Sequence, residues 1–496
     1  MEDGLEHRAE IAVPVSSRRK FIRTATVTGG AGLLTEGLQP IRAQESGKKA
    51  PLLVLPAATK DLSPFTVHVP QGALDDLKKR LANTRWPNKE PVTDWSQGVP
   101  LAKAQALADY WRTRYDWRRV ESTLNGLPQF RTQIDGLGIY FIHVRSKHEN
   151  ALPMILTHGW PGSIIEFLEV IGPLTDPTVH GGKAEDAFHV VIPSLPGFGF
   201  SDKPTEPGWG LPRIANAWAV LMARLGYNHY VAQGGDWGAG VTSWMAKQHV
   251  SGLAAIHLNL PIIFPPPPPP PGGYTDAEQP ALAQLGKYGS DGAAYGLIQG
   301  TRPQTLGYGL ADSPVGQAMW IYEKFQAWSD NKGDPAEAIS VDHMLDDISL
   351  YWLTDTAASS ARLYFESWGR DFGRMPIDLP VAVSVFKGDF FTPPKVWGDE
   401  TYSKLFYWNE VPKGGHFAAF EQPELFVCGI AQELRPGALT AGRFGNKTRK
   451  ENKCREDLKE RSRLSQGERP GSALPRRSVS SRKARTFSLP VGERPS

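Results

Sequence analysis

Asp236 stands in a five-residue pattern, Gly-Gly-Asp-Trp-Gly, over residues 234–238, between an apolar run and a helix-like segment. Glycines on both sides of a reactive residue let the chain turn sharply and leave room beside the side chain. A carboxylate there needs no deprotonation and can attack an sp³ carbon by displacement, which forms an alkyl-enzyme ester. The pattern therefore predicts a nucleophilic Asp236, and the competing interpretation is a helix N-cap.

A base and an acid follow the nucleophile in the order that this chemistry uses. His416 lies in a glycine-rich loop, and Asp389 comes shortly after the apolar run 381–386, so that it is expected at the end of a strand. We therefore interpret Asp389 as the acid that orients His416. Glu400 lies in a charged segment and Glu410 precedes the histidine too closely, which makes both weaker alternatives.

The elements that must position these side chains alternate between short apolar runs and helix-like segments. This alternation predicts an α/β fold, with a mostly parallel sheet and helices on both faces, and a ligand site beyond the carboxyl ends of the strands. A loop of sequence His-Gly-Trp-Pro-Gly-Ser follows the first such run, and it is predicted either to turn backbone N–H groups toward a cavity or to be a plain turn. The runs are residues 153–156, 188–192, 230–232 and 381–386, and the helix-like segments are 164–171 and 214–225.

Composition excludes several classes of protein. Hydrophobic residues make up 40% and charged residues 22% of the 496 positions, which is ordinary for a soluble globular chain. No apolar run is long enough to span a membrane, and two cysteines exclude a disulfide scaffold or a cysteine-rich metal site. Residues 441–496 carry 16 Lys and Arg against 6 Asp and Glu, whereas residues 1–440 carry 39 against 46. A nucleic-acid role for the mildly acidic body therefore has no support.

Together these motifs resemble the epoxide hydrolases of the α/β-hydrolase fold, in particular the microsomal and juvenile-hormone type. The resemblance rests on residues 158–163, 234–238 and 414–421, and on an N-terminal part, residues 64–70 and 77–87, that is similar to the module wrapping the catalytic domain in this branch. It runs from about residue 63 to about residue 437. We expect no membrane anchor of the kind that the family carries, and a soluble bacterial relative instead.

The resemblance implies an enzyme that adds water to an epoxide, with a helical lid that supplies two tyrosines to the epoxide oxygen. By motif context these are Tyr295 and Tyr364, with Tyr308 and Tyr288 as competitors for the first position. The backbone N–H groups of Trp160 and Trp237 are expected to form the oxyanion hole. These two residues and the triad of Asp236, Asp389 and His416 complete the predicted site.

The expected partners are water and a small apolar or aromatic epoxide, with no cofactor, no metal and no nucleic acid. These expectations connect the protein with detoxification and the catabolism of aromatic hydrocarbons, and they leave its oligomeric state open. The alternatives are a haloalkane dehalogenase with the same nucleophile, in which Trp237 serves the halide, and a ligand-binding protein of the same fold without catalysis. A serine esterase is disfavoured because the turn holds Asp236.

The two ends of the chain are interpreted separately from the fold. Residues 17–23 read Ser-Arg-Arg-Lys-Phe-Ile-Arg, which resembles the bacterial twin-arginine export motif, and we expect a periplasmic or extracellular enzyme without a membrane span after cleavage. The basic tail is expected to be disordered, either a polyanion-binding arm or a dispensable extension. The predicted divisions are 1–43 export signal, 44–62 linker, 63–145 N-terminal module, 146–264 core, 265–375 proline-rich connector and lid, 376–438 core, and 439–496 tail.

Overall fold

The computed structural model describes residues 57–265, 269–371 and 373–434, together with residues 53 and 55. The predicted export signal, most of the linker, the middle of the proline run and the basic tail lie outside the described residues. In the part of the chain that is described, no helix is both long and apolar enough to cross a membrane.

A single nine-stranded sheet forms the centre of the described chain. Its strands are β1 Ser63–Pro64, β2 Gln129–Ile134, β3 Leu137–Val144, β4 Leu152–Thr157, β5 Phe188–Pro193, β6 Tyr230–Gly234, β7 Leu253–Leu258, β8 Val381–Phe386 and β9 Leu405–Val411. They lie in the order β1-β2-β3-β5-β4-β6-β7-β8-β9. The pairs from β5 to β9 are parallel, whereas β1, β2 and β3 join them antiparallel at one end. The prediction of a mostly parallel sheet is confirmed.

Fifteen α-helices accompany these strands in the described residues. They are α1 Gln71–Ala82, α2 Leu101–Thr113, α3 Trp117–Asn125, α4 Leu168–Thr175, α5 Leu211–Arg224, α6 Trp237–Lys247, α7 Gln279–Lys287, α8 Ala294–Thr301, α9 Pro303–Asp312, α10 Pro314–Trp328, α11 Val341–Leu353, α12 Ala357–Ser367, α13 Lys395–Thr401, α14 Ala418–Glu421 and α15 Pro423–Leu434. Helices α7 to α12 lie between β7 and β8 in the chain and form the lid.

The strands that sequence patterns find are those that bury both faces. Every residue of β5, β6 and β8 is buried, and such strands read as continuous apolar runs. The pattern misses β1, β2, β3, β7 and β9. In β2, Gln129, Arg131 and Thr132 are buried polar residues, and β9 lies at the edge of the sheet and is half-buried. Strands β3 and β7 are missed although they are largely buried, so burial alone does not decide which strands are found. Predicted helix 164–171 is instead a 3₁₀ turn, Ile164–Phe167, followed by α4.

The N-terminal helices pack against the lid rather than against the sheet alone. Helices α1 and α2 contact α10, and α3 contacts α11. The clearest tether joins α3 to α11, where Arg119 donates to both carboxylate oxygens of Asp346 at 2.6 and 2.7 Å. Tyr115 donates to the same carboxylate at 2.8 Å, and Trp111 donates to Ser349 at 2.9 Å. The N-terminal segment therefore holds the lid over the carboxyl ends of the strands.

Candidate active site

The turn between β6 and α6 presents Asp236 in a strained conformation. Its φ is +50° and its ψ is −127°, a region that residues other than glycine rarely adopt. A Cβ atom at Gly238 would overlap the carbonyl oxygen of Thr157 at the end of β4, so only glycine permits this approach. Asp236 directly precedes α6, but its side chain does not make the capping hydrogen bond of a helix N-cap, and the N-cap interpretation is therefore not supported.

Two backbone donors meet the carboxylate of Asp236. The N–H of Trp160, in the loop after β4, donates to Oδ1 at 2.7 Å, and the N–H of Trp237 hydrogen bonds the same carboxylate. A Cβ atom at Gly159 would collide with the Asp236 side chain, which explains the glycine in this loop. The two N–H groups named from the sequence as an oxyanion hole are thus brought together on the predicted nucleophile.

His416 lies between two carboxylates. Its Nδ1 is 3.2 Å from Asp389 Oδ1, and its Nε2 is 3.6 Å from Asp236 Oδ2. Burial alone lowers the pKa of His416, but the charge and hydrogen bond of Asp389 and the charge of Asp236 outweigh it and raise the pKa to about 9. The rival acids lie elsewhere, because Glu400 pairs with Arg374 and Glu410 pairs with Lys387.

The charge of Asp236 is balanced by its neighbours. Burial raises the pKa of this carboxyl, while His416 and the N–H groups of Trp160 and Trp237 act in the opposite direction. An imidazolium beside a carboxylate is favourable in a buried site, since each charge stabilises the other. The resting pair can therefore hold the nucleophile ionised even though it is enclosed.

A glutamate that the sequence analysis did not single out holds the histidine loop. Glu421, in α14, accepts hydrogen bonds from the N–H groups of Gly415 at 2.9 Å, Phe417 at 3.0 Å and Asp330 at 2.7 Å. These bonds fix the backbone on both sides of His416. Glu421 stands five residues after His416, directly behind the glycine-rich loop, and this short spacing is a signal that could have found it.

The two lid tyrosines named from the sequence face each other above the nucleophile. The hydroxyls of Tyr295 and Tyr364 lie 3.3 Å apart. Burial is the largest cause that raises the pKa of both phenols, and the charge of Asp236 raises both further. Tyr308 is 71% exposed on the surface, which removes it from the site. The hydroxyl of Tyr288 lies 3.2 Å from that of Tyr295, so this competitor is a direct neighbour.

Aromatic rings form the walls around these hydroxyls. Trp160 stacks on Tyr295 with ring centres 5.1 Å apart, and Trp237 meets Tyr364 edge-on at 4.6 Å. Trp328, at the end of α10, has its ring centre 4.9 Å from that of His416, and the backbone N–H of His416 donates to the backbone carbonyl oxygen of Trp328. The surroundings of the triad and of the tyrosine hydroxyls are therefore largely aromatic.

A small cavity on one side of the carboxylate was not foreseen. The centre of a water molecule can occupy a volume of about 20 Å³ in this cavity. The residues that line it include Asp236, His416 and Glu166 but neither lid tyrosine. On this measure roughly 10–15 Å³ is enough for one water. Burial raises the pKa of Glu166 well above its ordinary value, and the Gly159 N–H hydrogen bonds its carboxyl group. Glu166 lies in a segment whose apolar pattern hides it.

Known proteins are similar to this chain in sequence and in fold. The model of the epoxide hydrolase N terminus matches residues 62–167, and the α/β hydrolase fold matches residues 153–296. A Stigmatella aurantiaca protein named "Putative epoxide hydrolase" is 66% identical over 374 residues, which cover 75% of this chain and 84% of that protein. Epoxide hydrolase 1 of Sus scrofa is 34% identical over 410 residues, covering 77% and 89%.

This chain belongs to the epoxide hydrolase family. The crystal structure of juvenile hormone epoxide hydrolase from Bombyx mori is similar to it, with a TM-score of 0.70 and 30% identity, over 77% of this chain and 95% of that one. The resemblance drawn from the motifs is confirmed, as is the α/β-hydrolase fold. This epoxide hydrolase is a hydrolase enzyme, and the roles of its individual site residues stay predictions.

Proposed function

We propose that this epoxide hydrolase opens its substrate through an alkyl-enzyme ester on Asp236. The observation that carries the proposal is the arrangement around this carboxylate. Its Oδ1 accepts the Trp160 N–H at 2.7 Å, while His416 Nε2 lies 3.6 Å from its Oδ2. A carboxylate held at a strained turn under two phenols is suited to displacement at carbon, because the phenols can receive the charge that develops on the leaving oxygen.

Ring opening forms one bond and breaks another. Asp236 forms a bond to a ring carbon, and the electron pair of the broken C–O bond goes to the epoxide oxygen. Tyr295 and Tyr364 hydrogen bond that oxygen, and one of them gives it a proton. The products are an ester of Asp236 and a phenolate, with the hydroxyl of the future diol already in place.

Hydrolysis of the ester takes place on the side of Asp236 that faces the small cavity. His416, oriented by Asp389, takes a proton from a water in the small cavity, and the hydroxide adds to the ester carbonyl. The N–H groups of Trp160 and Trp237 stabilise the oxyanion. The imidazolium of the resting enzyme gives its proton to the phenolate after ring opening, so that His416 is neutral when it takes a proton from the water. Collapse moves the hydroxyl proton of the intermediate to the departing alkoxide and releases the diol. The carboxylate and the imidazolium are then restored, and the cycle consumes only epoxide and water. Glu166 lines the same cavity and is proposed to orient the water.

The substrate class is proposed from the walls of the site. Trp160, Trp237 and Trp328 surround the reacting groups, and aromatic faces favour apolar or aromatic substrates. Styrene oxide is a suitable first substrate because it joins an aryl ring to an epoxide. A role in detoxification or in the catabolism of aromatic hydrocarbons is proposed on the same basis. Export by the twin-arginine route is proposed from residues 17–23 alone.

The decisive experiment separates the two chemical steps. With styrene oxide, the parent should form diol, Asp236→Ala should form neither diol nor ester, and His416→Ala should accumulate an ester whose mass exceeds that of the protein by one epoxide. General-base loss is expected to slow turnover by about a hundredfold or more. Intact-mass spectrometry and diol analysis measure these outcomes, and normal turnover by His416→Ala would contradict its role.

A matched tyrosine pair controls for non-specific loss. Tyr364→Phe should slow ring opening strongly, whereas Tyr308→Phe, on an exposed tyrosine of the same lid, should not. Halide release from a haloalkane without diol formation would instead favour the dehalogenase, and neither activity over a panel of epoxides would favour the ligand-binding alternative.

A further inference from the structure

Lys324 is a buried lysine beside one of the lid tyrosines. It is 5% exposed, and its Nζ lies 4.3 Å from the ring centre of Tyr295 and 5.5 Å from that of Trp328. Burying an ammonium group is costly unless it is paired, and lysine is among the residues that are least often buried. The other lysines that form ion pairs in the described residues expose 36% or more of their side chains. Lys324 therefore differs from a surface cation.

The ion pair of Lys324 does not by itself explain this burial. Its Nζ lies 2.6 Å from an oxygen of Glu323, the preceding residue in α10, whose side chain is 34% exposed. An ion pair of this kind can form at the surface at little cost. The ammonium is instead placed over an aromatic face, where a cation is attracted by the ring and remains poorly hydrated.

The tyrosine under this cation is held in one position. Trp160 stacks on Tyr295 with an interplanar angle of 13°, and the Tyr295 hydroxyl lies 3.3 Å from that of Tyr364. These contacts, on the ring face and at the hydroxyl, fix the Tyr295 side chain beneath the Lys324 ammonium. Among the cation–ring contacts of the described residues, Tyr295 has such a partner and Tyr364 does not.

We propose that Lys324 is a positioning residue for ring opening, whose ammonium stabilises the phenolate that forms at Tyr295 when this phenol gives its proton to the epoxide oxygen. The inference rests on the proposed function and deepens it, because it makes Tyr295 the proton donor and Tyr364 the hydrogen-bond donor. Burial raises the pKa of the Tyr295 phenol. A nearby positive charge favours the phenolate and so acts against this increase, without contacting the substrate.

A double-mutant cycle distinguishes this role from simple packing. The ring of Phe attracts an ammonium much as the ring of Tyr does, but it has no hydroxyl that can ionise. Lys324→Met should slow single-turnover ester formation from styrene oxide by about tenfold in the parent. The same substitution should change the rate by less than about twofold in Tyr295→Phe. Lys324→Arg keeps the charge and should restore most of the parent rate.

A second variant tests the same proposal in case Lys324→Met fails to fold. Glu323→Gln removes the counter-ion from a half-exposed position, so the field of Lys324 at Tyr295 increases and ester formation should become faster in the parent but not in Tyr295→Phe. Lys247→Met is the matched control, since Lys247 is an exposed lysine 4.5 Å from the ring centre of Trp244, and it should leave the rate unchanged.

Equal losses from Lys324→Met in the two backgrounds would overturn the inference and leave Lys324 with a packing role. An effect of Glu323→Gln that persists in Tyr295→Phe would also overturn it. These failures differ from failure of the proposed function itself, in which the parent forms no ester and no diol from styrene oxide, or Asp236→Ala still forms them.

Discussion

At the scale of single residues, the charge of Asp236 couples the two halves of the proposed reaction. Both Asp389 and Asp236 raise the pKa of His416, which reaches about 9 in the resting enzyme. Formation of the ester removes the charge of Asp236, so one of the causes of that increase disappears. The pKa of His416 is therefore lower in the ester intermediate than in the resting enzyme. A larger fraction of the imidazole is then neutral at the step that needs a neutral base.

The first prediction concerns pH. Ester hydrolysis should become faster as pH rises through the pKa of His416 in the intermediate, and that pKa should lie below the resting value of about 9. Ring opening does not need a neutral imidazole and should decline only where Asp236 becomes protonated. Single-turnover rates of the two steps across pH measure this, and a hydrolysis rate that does not change with pH would contradict the role of His416.

The second prediction concerns Glu166. Glu166→Leu removes a polar group from the small cavity, so ester hydrolysis should slow by about tenfold or more while ring opening changes little. Glu166→Gln keeps hydrogen-bonding capacity and should lose less. Rapid-quench mass spectrometry of the ester separates the steps, and an equal loss in ring opening would show that Glu166 acts on the fold of the site instead.

At the scale of elements, the nucleophile depends on how closely β4 and α6 approach each other. The turn after β6 places Gly238 against the carbonyl oxygen of Thr157, and the loop after β4 places Gly159 against Asp236. Neither contact leaves room for a side chain. The two glycines therefore allow the Trp160 N–H to reach the carboxylate, and local backbone strain at Asp236 is held by the packing of the elements on both sides.

The third prediction follows from this packing. Gly238→Ala must push α6 away from β4, so the free energy of unfolding should fall by about 2–3 kcal/mol and ester formation should be lost. Gly286→Ala is the control, because Gly286 lies within α7 with no neighbour within 4 Å, and helix propensity predicts a gain of about 0.5–1 kcal/mol. Urea unfolding measures both, and equal effects would contradict the argument.

At the scale of the whole molecule, the N-terminal helices, the lid and the sheet form one continuous apolar core. Residues of α1, α3, α10, α11 and β4 to β8 belong to the same buried cluster. The ion pair of Arg119 with Asp346 adds a polar tether between α3 and α11, where the Asp346 side chain is 2% exposed. The lid that carries the tyrosines is therefore supported from the side of the N-terminal segment as well as from the sheet.

The fourth prediction tests export of the whole chain. Replacing Arg18 and Arg19 together by Lys should retain the protein in the cytoplasm of a bacterial host, because the twin-arginine route recognises the arginine pair. Arg8→Lys, outside the motif, should leave the distribution unchanged. Cell fractionation with diol formation as the readout measures the distribution, and unchanged export of the double variant would contradict the proposal.

The sequence by itself determined the family, the mostly parallel sheet and the candidate triad of Asp236, Asp389 and His416. It could do so because these features are local: a glycine-framed turn, a histidine loop and continuous apolar strands are each contained in a few neighbouring residues. Strands β1, β2, β3, β7 and β9 were not predicted. In β2 and β9, buried polar residues and an edge position weaken the apolar pattern from which strands are recognised.

Only the tertiary structure decided which distant groups meet at the carboxylate. Lys324 over Tyr295, Glu166 beside the small cavity and Glu421 under the histidine loop are single charged residues in segments whose sequence patterns indicate ordinary helices. Their effect depends on burial and on a few ångströms of separation between elements far apart in the chain. Neither quantity can be read from the local sequence. The charged groups that surround the reacting residues are therefore defined only by the packing of the lid on the sheet.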